Sequence, residues 1–276
     1  MVDLKIGIVG AAGRMGGAVV RQVTETDGCA VVAASEIAGS AAIGRDAGEL
    51  AGIGSLGIEV TDDVAAMFGR VDAVIEFSAP ESTVAHAADA AAGCIHVIGT
   101  TGLDSGQEAA LRDAGKKAPI VYAPNMSLAV NILFALTRQV AKMLDDDFDI
   151  EIVEMHHRHK MDAPSGTALG LGRAAAAGRG VSLDDAGVLS REGQTGARDR
   201  GAIGFATLRG GDVAGEHSVI FAADGERLEL THKSTSRQIF ARGAVRAALW
   251  AKDRDPGLYT MFDVLDLPVG EGTFFE

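Results

Sequence analysis

Lys5-Ile6-Gly7-Ile8-Val9-Gly10-Ala11-Ala12-Gly13-Arg14-Met15-Gly16 stands near the N-terminus. A short apolar run stops at a glycine, two more glycines follow at three-residue spacing, and Met15 to Glu25 then shows the period of an amphipathic helix. This reads as strand, tight turn, helix. Glycines in such a turn let the backbone approach a ligand, and the amides and dipole at the helix start favour an anion such as a pyrophosphate. The spacing is G-x-x-G-x-x-G instead of the strict G-x-G-x-x-G, so the glycines by themselves also suit an ordinary strand-to-helix turn.

Outward from that stretch the same rhythm repeats. Ala30 to Ala34, Asp72 to Phe77, Ile95 to Gly99 and Pro119 to Tyr122 are further short apolar runs, separated by helix patterns at Glu81 to Ala92 and Ser105 to Ala114. Runs of this kind are strands buried on both faces, and strand-helix-strand in series gives right-handed crossovers and a parallel sheet. The segment from Ile37 to Ile58 is glycine-rich and irregular, with no element assigned. After Ala123 the rhythm changes. Asn131 to Leu144 has a helix pattern, Asp149 to Met155 a strand pattern and Gly166 to Ala177 a helix pattern. Three polar-apolar alternations follow, Ala202 to Arg209, Glu216 to Ala222 and Glu226 to Thr231, with turns at Gly210-Gly211 and Asp224-Gly225. The expected fold class is α/β: an N-terminal Rossmann-like doubly wound parallel sheet plus a C-terminal α+β domain with a mixed sheet. The expected boundaries are 1–127 for the dinucleotide-binding domain and 128–237 for the second. A helix at Arg237 to Lys252, stopped by Asp255-Pro256-Gly257, begins a segment 238–276 that returns to the first domain.

Composition agrees with two domains. The 276 residues are 47% hydrophobic and 23% charged, the balance of a folded chain with a real core, which excludes disorder. A net charge of -13 repels nucleic acid and anionic lipid, so neither a nucleic-acid nor a membrane partner is expected. No apolar stretch reaches the ~18 residues of a spanning helix. Cys29 and Cys94 sit in apolar runs outside any metal or redox pair, which suits buried thiols in a reducing, cytoplasmic setting.

The second apolar run ends at Ser35-Glu36, and Glu36 lies 20 residues beyond Gly16. A dinucleotide site places an acid there to accept from the adenosine ribose hydroxyls. Turn and acid together favour NAD. Ile37 offers nothing to a 2'-phosphate, so NADH is the preferred cofactor, with NADPH admitted through Arg14 or Arg45. Phe77-Ser78-Ala79-Pro80 and Gly99-Thr100-Thr101-Gly102 end strands at the same edge, where they are placed to line the nicotinamide side.

The segment Glu154-Met155-His156-His157-Arg158-His159-Lys160-Met161-Asp162-Ala163-Pro164-Ser165-Gly166-Thr167 carries the most chemistry. Three readings compete: a metal site, a solvated strand end, and an anion pocket with a proton donor. Arg158 and Lys160 oppose a dication, and no metal is expected. Pro164 precedes a helix whose first turn holds Gly166 and Thr167, so amides and a hydroxyl face the region of the histidines. If the strand persists, His156 and Lys160 share one face and His157 and His159 the other. A histidine and an ammonium beside a carboxylate cradle suit reduction of a conjugated imine bearing carboxylates.

The block Glu154 to Ala168 resembles the signature of the 4-hydroxy-tetrahydrodipicolinate reductase (dihydrodipicolinate reductase) family, and the likeness spans nearly the whole chain. Gly10 to Gly16, Gly99 to Gly102, Asn125, Ser190-Arg191-Glu192-Gly193, Ile203-Gly204-Phe205-Ala206 and Gly215-Glu216-His217 follow in the family's order. The resemblance implies reduction of a cyclic hydroxy-imine dicarboxylate by a nicotinamide cofactor in lysine and diaminopimelate synthesis. It gives His156 the acid/base role, Lys160 proton donation, His157 a substrate contact, and Gly166 and Thr167 the substrate carboxylate. It gives cofactor contacts to Gly10, Ala11, Ala12, Gly13, Arg14, Met15, Glu36, Gly99, Thr100, Thr101, Ala123, Pro124, Asn125 and Met126. It also implies a homotetramer joined through the second domain. Ile37, Pro124 and Met126 differ from some members, and Ile37 stands where some carry arginine.

Overall fold

The computed structural model describes residues 4–90 and 93–268. In chain order the first elements are β1 (Leu4–Val9), α1 (Arg14–Thr24), β2 (Cys29–Ser35), α2 (Ala47–Ala51), β3 (Val60–Thr61), α3 (Val64–Phe68), β4 (Ala73–Glu76), α4 (Pro80–Ala90), β5 (Ile95–Ile98), α5 (Ser105–Gly115) and β6 (Pro119–Tyr122). Then come α6 (Leu128–Met143), β7 (Asp149–His156), α7 (Gly166–Arg179), α8 (Leu183–Ala186), β8 (Gly187–Val188), β9 (Ile203–Arg209), β10 (Gly215–Ala223), β11 (Glu226–Ser234), α9 (Gln238–Ala251), β12 (Gly257–Tyr259) and α10 (Met261–Val264). Two compact units result, one of Met1–Leu128 with Arg237–Leu267 and one built on Ala129–Ser236. Residues 269–276, which the sequence reading puts in the returning segment, and 91–92, at the end of its Glu81 to Ala92 helix, lie outside the described residues.

The first unit is a seven-stranded sheet of order β12-β6-β5-β4-β1-β2-β3, with every pairing parallel. Both faces are covered. Leu4, Ile6 and Ile8 of β1 pack with Val19, Val20 and Val23 of α1 and with alanines 241, 244, 247 and 248 of α9 on one side. Val9 and Val74 meet Met67 and Phe68 on the other. Sequence patterning misses β12, which is three residues long and pairs with β6 only because α9 brings the chain back. The irregular segment after Glu36 is tied by backbone bonds such as Ala47 N–H to Ile58 O and Val60 N–H to Arg45 O, and by one side chain. Asp46 caps α2 through the amides of Gly48 and Glu49 and also accepts from the amides of Leu56, Gly57 and Ile58 and the hydroxyl of Ser55. These bonds, led by that from Leu56, hold its carboxyl well below the usual range.

The second unit is a five-stranded mixed sheet of order β11-β10-β7-β9-β8. β7 and β10 are antiparallel, and β7 and β9 are parallel. Period-2 alternation puts Ile150, Ile152, Ile203, Phe205, Val219 and Phe221 on one buried face, against which α7 packs. Gly172 gives α7 its close approach, because a Cβ there would sit 2.5 Å from the Phe205 ring.

Candidate active site

Register assembles the polar end of the second sheet. His156 pairs with Arg209 across the parallel ladder, and His217 pairs with Glu154 across the antiparallel one, so all four side chains share the face that carries the core. Glu154 is buried at their centre. Its carboxylate accepts a bidentate pair from Arg209, at 2.8 and 2.9 Å, a bond from the Ser165 amide at 3.0 Å, and faces His156 Nδ1 at 2.5 Å. Burial would raise the carboxyl's pKa, but Arg209, His156 and Ser165 outweigh it and keep the group ionised.

His156 follows from that charge. Burial pushes its pKa down, Glu154 pulls it up, and Lys160 and Arg209 press it down again, leaving the imidazole below its ordinary value. At neutral pH the ring is therefore uncharged. Facing a carboxylate, Nδ1 holds the proton and Nε2 presents a lone pair. His217 packs edge-on against the His156 ring at 5.1 Å, and its Nε2 meets Ser165 Oγ at 3.1 Å. Burial, followed by repulsion from His156, pushes His217 down to about 3.

The strand ends at His156, so the alternation expected to put Lys160 on its face does not apply. The main chain turns instead: the His157 amide donates to Val213 O at 2.8 Å, and the Lys160 amide to His157 O at 3.1 Å. His157 and His159 end with rings 6.4 Å apart, a proximity made by the turn and not by strand pleat. Lys160 Nζ pairs with Asp162 Oδ1 at 2.8 Å, and the Gly166 amide donates to that same Asp162. One carboxylate thus joins Lys160 to the first turn of α7. Ser165 is the helix cap, its Oγ accepting from the Ala168 amide at 3.1 Å. Glu154, Arg209, His217, Ser165 and Asp162 are functional candidates that sequence reasoning left without a role. The Glu154-x-His156 spacing on a strand signalled the first of them.

The first unit gathers its named residues at the carboxyl edge. Gly10 has φ +71°, and a Cβ on Gly16 would sit 2.1 Å from Gly10 O, so the turn closes only on glycine there. Gly13 is the N-cap of α1 and supplies no side-chain cap bond, which leaves that helix start suited to an outside anion. Glu36 reaches the same turn, with Oε2 accepting from the Ala12 amide at 3.2 Å and Oε1 from the Ile37 amide at 3.0 Å. Thr100 Oγ1 accepts from the Ser78 amide at 3.1 Å, joining the turns after β5 and β4. The Ala123 amide donates to Ile98 O, and Met126 is buried beside Gly243 of α9. Asn125 Oδ1 accepts from the Ser127 amide at 2.9 Å. These residues fit a dinucleotide: a glycine turn with no room for a Cβ at Gly16, a helix start without a side-chain cap, and an acid one strand over.

A parallel sheet with such a turn in one unit, and an acid-base cluster at a sheet end in the other, define a two-unit oxidoreductase of the nicotinamide-dependent class. Comparison with known proteins narrows this. The dihydrodipicolinate reductase N-terminus matches residues 4–126 and the dihydrodipicolinate reductase C-terminus residues 129–265. The chain is 56% identical over 268 residues to the 4-hydroxy-tetrahydrodipicolinate reductase of Afipia carboxidovorans, covering 97% of this chain and 98% of that one. It is 54% identical to the protein of that name from Agrobacterium fabrum, covering 97% and 98%. The dipicolinate-bound dihydrodipicolinate reductase of Paenisporosarcina sp. TG-14 shares the fold, with a TM-score of 0.72, 21% identity, and coverage of 94% of this chain and 98% of that one. This chain belongs to the dihydrodipicolinate reductase family.

Proposed function

We propose that the chain reduces 4-hydroxy-tetrahydrodipicolinate to tetrahydrodipicolinate, in the cytoplasm, as a step of lysine and diaminopimelate synthesis. The observation that carries this is the Lys160–Asp162–Gly166 contact beside His156: an ammonium and a helix-start amide already hold one carboxylate where the substrate has two to offer. Lys160, Gly166 and Thr167 bind a ring carboxylate, and His157 contacts the ring.

When bound, the reduced nicotinamide supplies the hydride to carbon. The reaction adds that hydride and one proton to the conjugated imine left when water departs. Lys160, a resident ammonium, gives the proton. His156, neutral and with a bare Nε2, accepts a hydrogen bond from the substrate or from Lys160, while Glu154 fixes its tautomer. Gly10 to Met15 hold the pyrophosphate, Glu36 the adenosine ribose, and Gly99 to Thr101 with Ala123 to Met126 the remaining length of the cofactor.

NADH is the preferred cofactor, because Glu36 repels a 2'-phosphate and Ile37, 75% exposed, offers it no partner. Replacing Ile37 with Arg is expected to tighten NADPH by about 1.5 to 3 kcal/mol, the value of one charge-assisted bond, read as the NADPH Kd. An unchanged Kd would assign that contact to another residue.

The open face of the second sheet supports assembly. Val153, Met155, Ala206, Leu208 and Ile220 lie there by register, and Leu208 is 49% exposed. Second copies of the chain cover this face in a homotetramer. The reductase reading is tested by adding freshly made substrate and following NADH absorbance; no oxidation rejects it. His156→Ala and Lys160→Met are expected to fold and bind NADH while losing about 10²- to 10⁴-fold in turnover.

A further inference from the structure

The carboxyl edge of the first sheet holds a second group of titratable side chains, on β4, α4 and β5, that the reaction above does not use. Glu76, the last residue of β4, and His96 of β5 are both 0% exposed. Glu76 Oε2 faces His96 Nε2 at 2.8 Å, and Oε1 faces His86 Nδ1 at 2.9 Å. Phe68 packs edge-on against the His96 ring at 5.3 Å, and His96 Nδ1 has no partner among the described residues. Burial would raise the Glu76 carboxyl, but the two histidines outweigh it and hold it well below the usual range. The same contact lifts His86 above its ordinary value against the opposing effect of burial. A charged carboxylate is thus kept inside the domain at working pH.

Its bonds have a direction. The Ser78 hydroxyl donates to Glu76 Oε1, which anchors the residue, and the Ser78 amide donates to Thr100 Oγ1 at 3.1 Å. The Thr83 hydroxyl donates to the same oxygen at 2.8 Å. A hydroxyl has two lone pairs and one proton. With both lone pairs of Thr100 taken, its hydroxyl acts only as a donor. The strand order puts β1 between β2 and β4. With the pyrophosphate on the turn after β1 and the adenosine ribose at Glu36 after β2, the turns after β4 and β5 fall to the nicotinamide half.

Resting on that reading of the edge as the cofactor site, we propose that Glu76 is a positioning residue for the cofactor, acting through Ser78 to aim the Thr100 hydroxyl at the nicotinamide carboxamide. Glutamine removes the charge and turns one acceptor into a donor, so the histidine facing its nitrogen must move its proton to the other ring nitrogen. Alanine at Ser78 keeps the amide that meets Thr100 but removes the hydroxyl bond to Glu76 that anchors it, leaving Glu76 and both histidines in place.

The test compares NADH with ADP-ribose, which lacks the nicotinamide, on the full chain. Dissociation constants are measured for the unaltered protein, Glu76→Gln and Ser78→Ala, by fluorescence of bound NADH and by calorimetry for ADP-ribose, with thermal melting alongside. NADH is expected to weaken about three- to tenfold in both variants, the scale of one hydrogen bond, while ADP-ribose binds as before. Equal weakening of the two ligands means that the cluster only holds the domain together and overturns the proposal, as does unchanged NADH binding. If Glu76→Gln fails to fold, Ser78→Ala decides alone. An unaltered protein that binds neither ligand removes the cofactor reading itself, and the proposal with it.

Discussion

Glu154 is the side chain at the centre of the second unit's polar cluster. Its four contacts come from Arg209 twice, His156 and Ser165, and they fix at once its charge and the tautomer of His156. Removing the carboxylate would strand Arg209 and free His156 to turn. His217, behind His156, gives a measurable consequence. Its pKa falls from 6.5 unfolded to about 3 folded, mainly by burial. Between those values the unfolded chain binds a proton that the folded chain refuses, so stability drops as pH falls through that window and is constant in this respect above it. The slope from this group is at most about 1.4 kcal/mol per pH unit. Urea midpoints taken between pH 6.5 and 5, where carboxylates are still ionised, are expected to fall more steeply for the unaltered chain than for His217→Gln. Parallel curves would place the histidine's titration elsewhere.

At the scale of elements, the glycine turn was readable because only a missing Cβ allows it. Gly16 approaches Gly10 O so closely that Gly16→Ala must shift the turn or the start of α1. The variant is expected to melt lower and to lose both NADH and ADP-ribose binding; wild-type dissociation constants would show that the turn adapts. The same local logic found most strands and helices to within two or three residues. It failed at Lys160. Alternation assumes a strand that continues, whereas the Val213 carbonyl and a bond from the Lys160 amide to His157 O fold the chain into a turn. Such a stop is set by a partner more than 50 residues away, which no window of sequence contains. The helix α7 is a mixed case: its start after Pro164 was legible, but the Ser165 cap and its bond to His217 were not.

For the molecule as a whole, assembly offers a direct test. On the proposed assembly, charges placed on the open sheet face by Val153→Glu with Ile220→Glu are expected to lower the mass seen by sedimentation from that of a tetramer, with each unit still folded by circular dichroism; an unaltered chain that sediments as a monomer rejects the tetramer, and an unchanged tetramer mass in the variant puts the contact on another face. Membrane spanning by helix is excluded among the described residues, none of whose helices is long and apolar enough. By itself the sequence determined the parallel sheet, the mixed sheet, the glycine cradle and the candidate block from Glu154 to Thr167, because these rest on periodicity and on the chemistry of adjacent residues. Only the tertiary structure decided that Arg209 and His217 complete the Glu154–His156 pair, that β12 joins the first sheet, and that Glu76 carries a buried charge between His86 and His96. Those depend on which strands lie side by side and in what register, and register is fixed by the packing of whole faces.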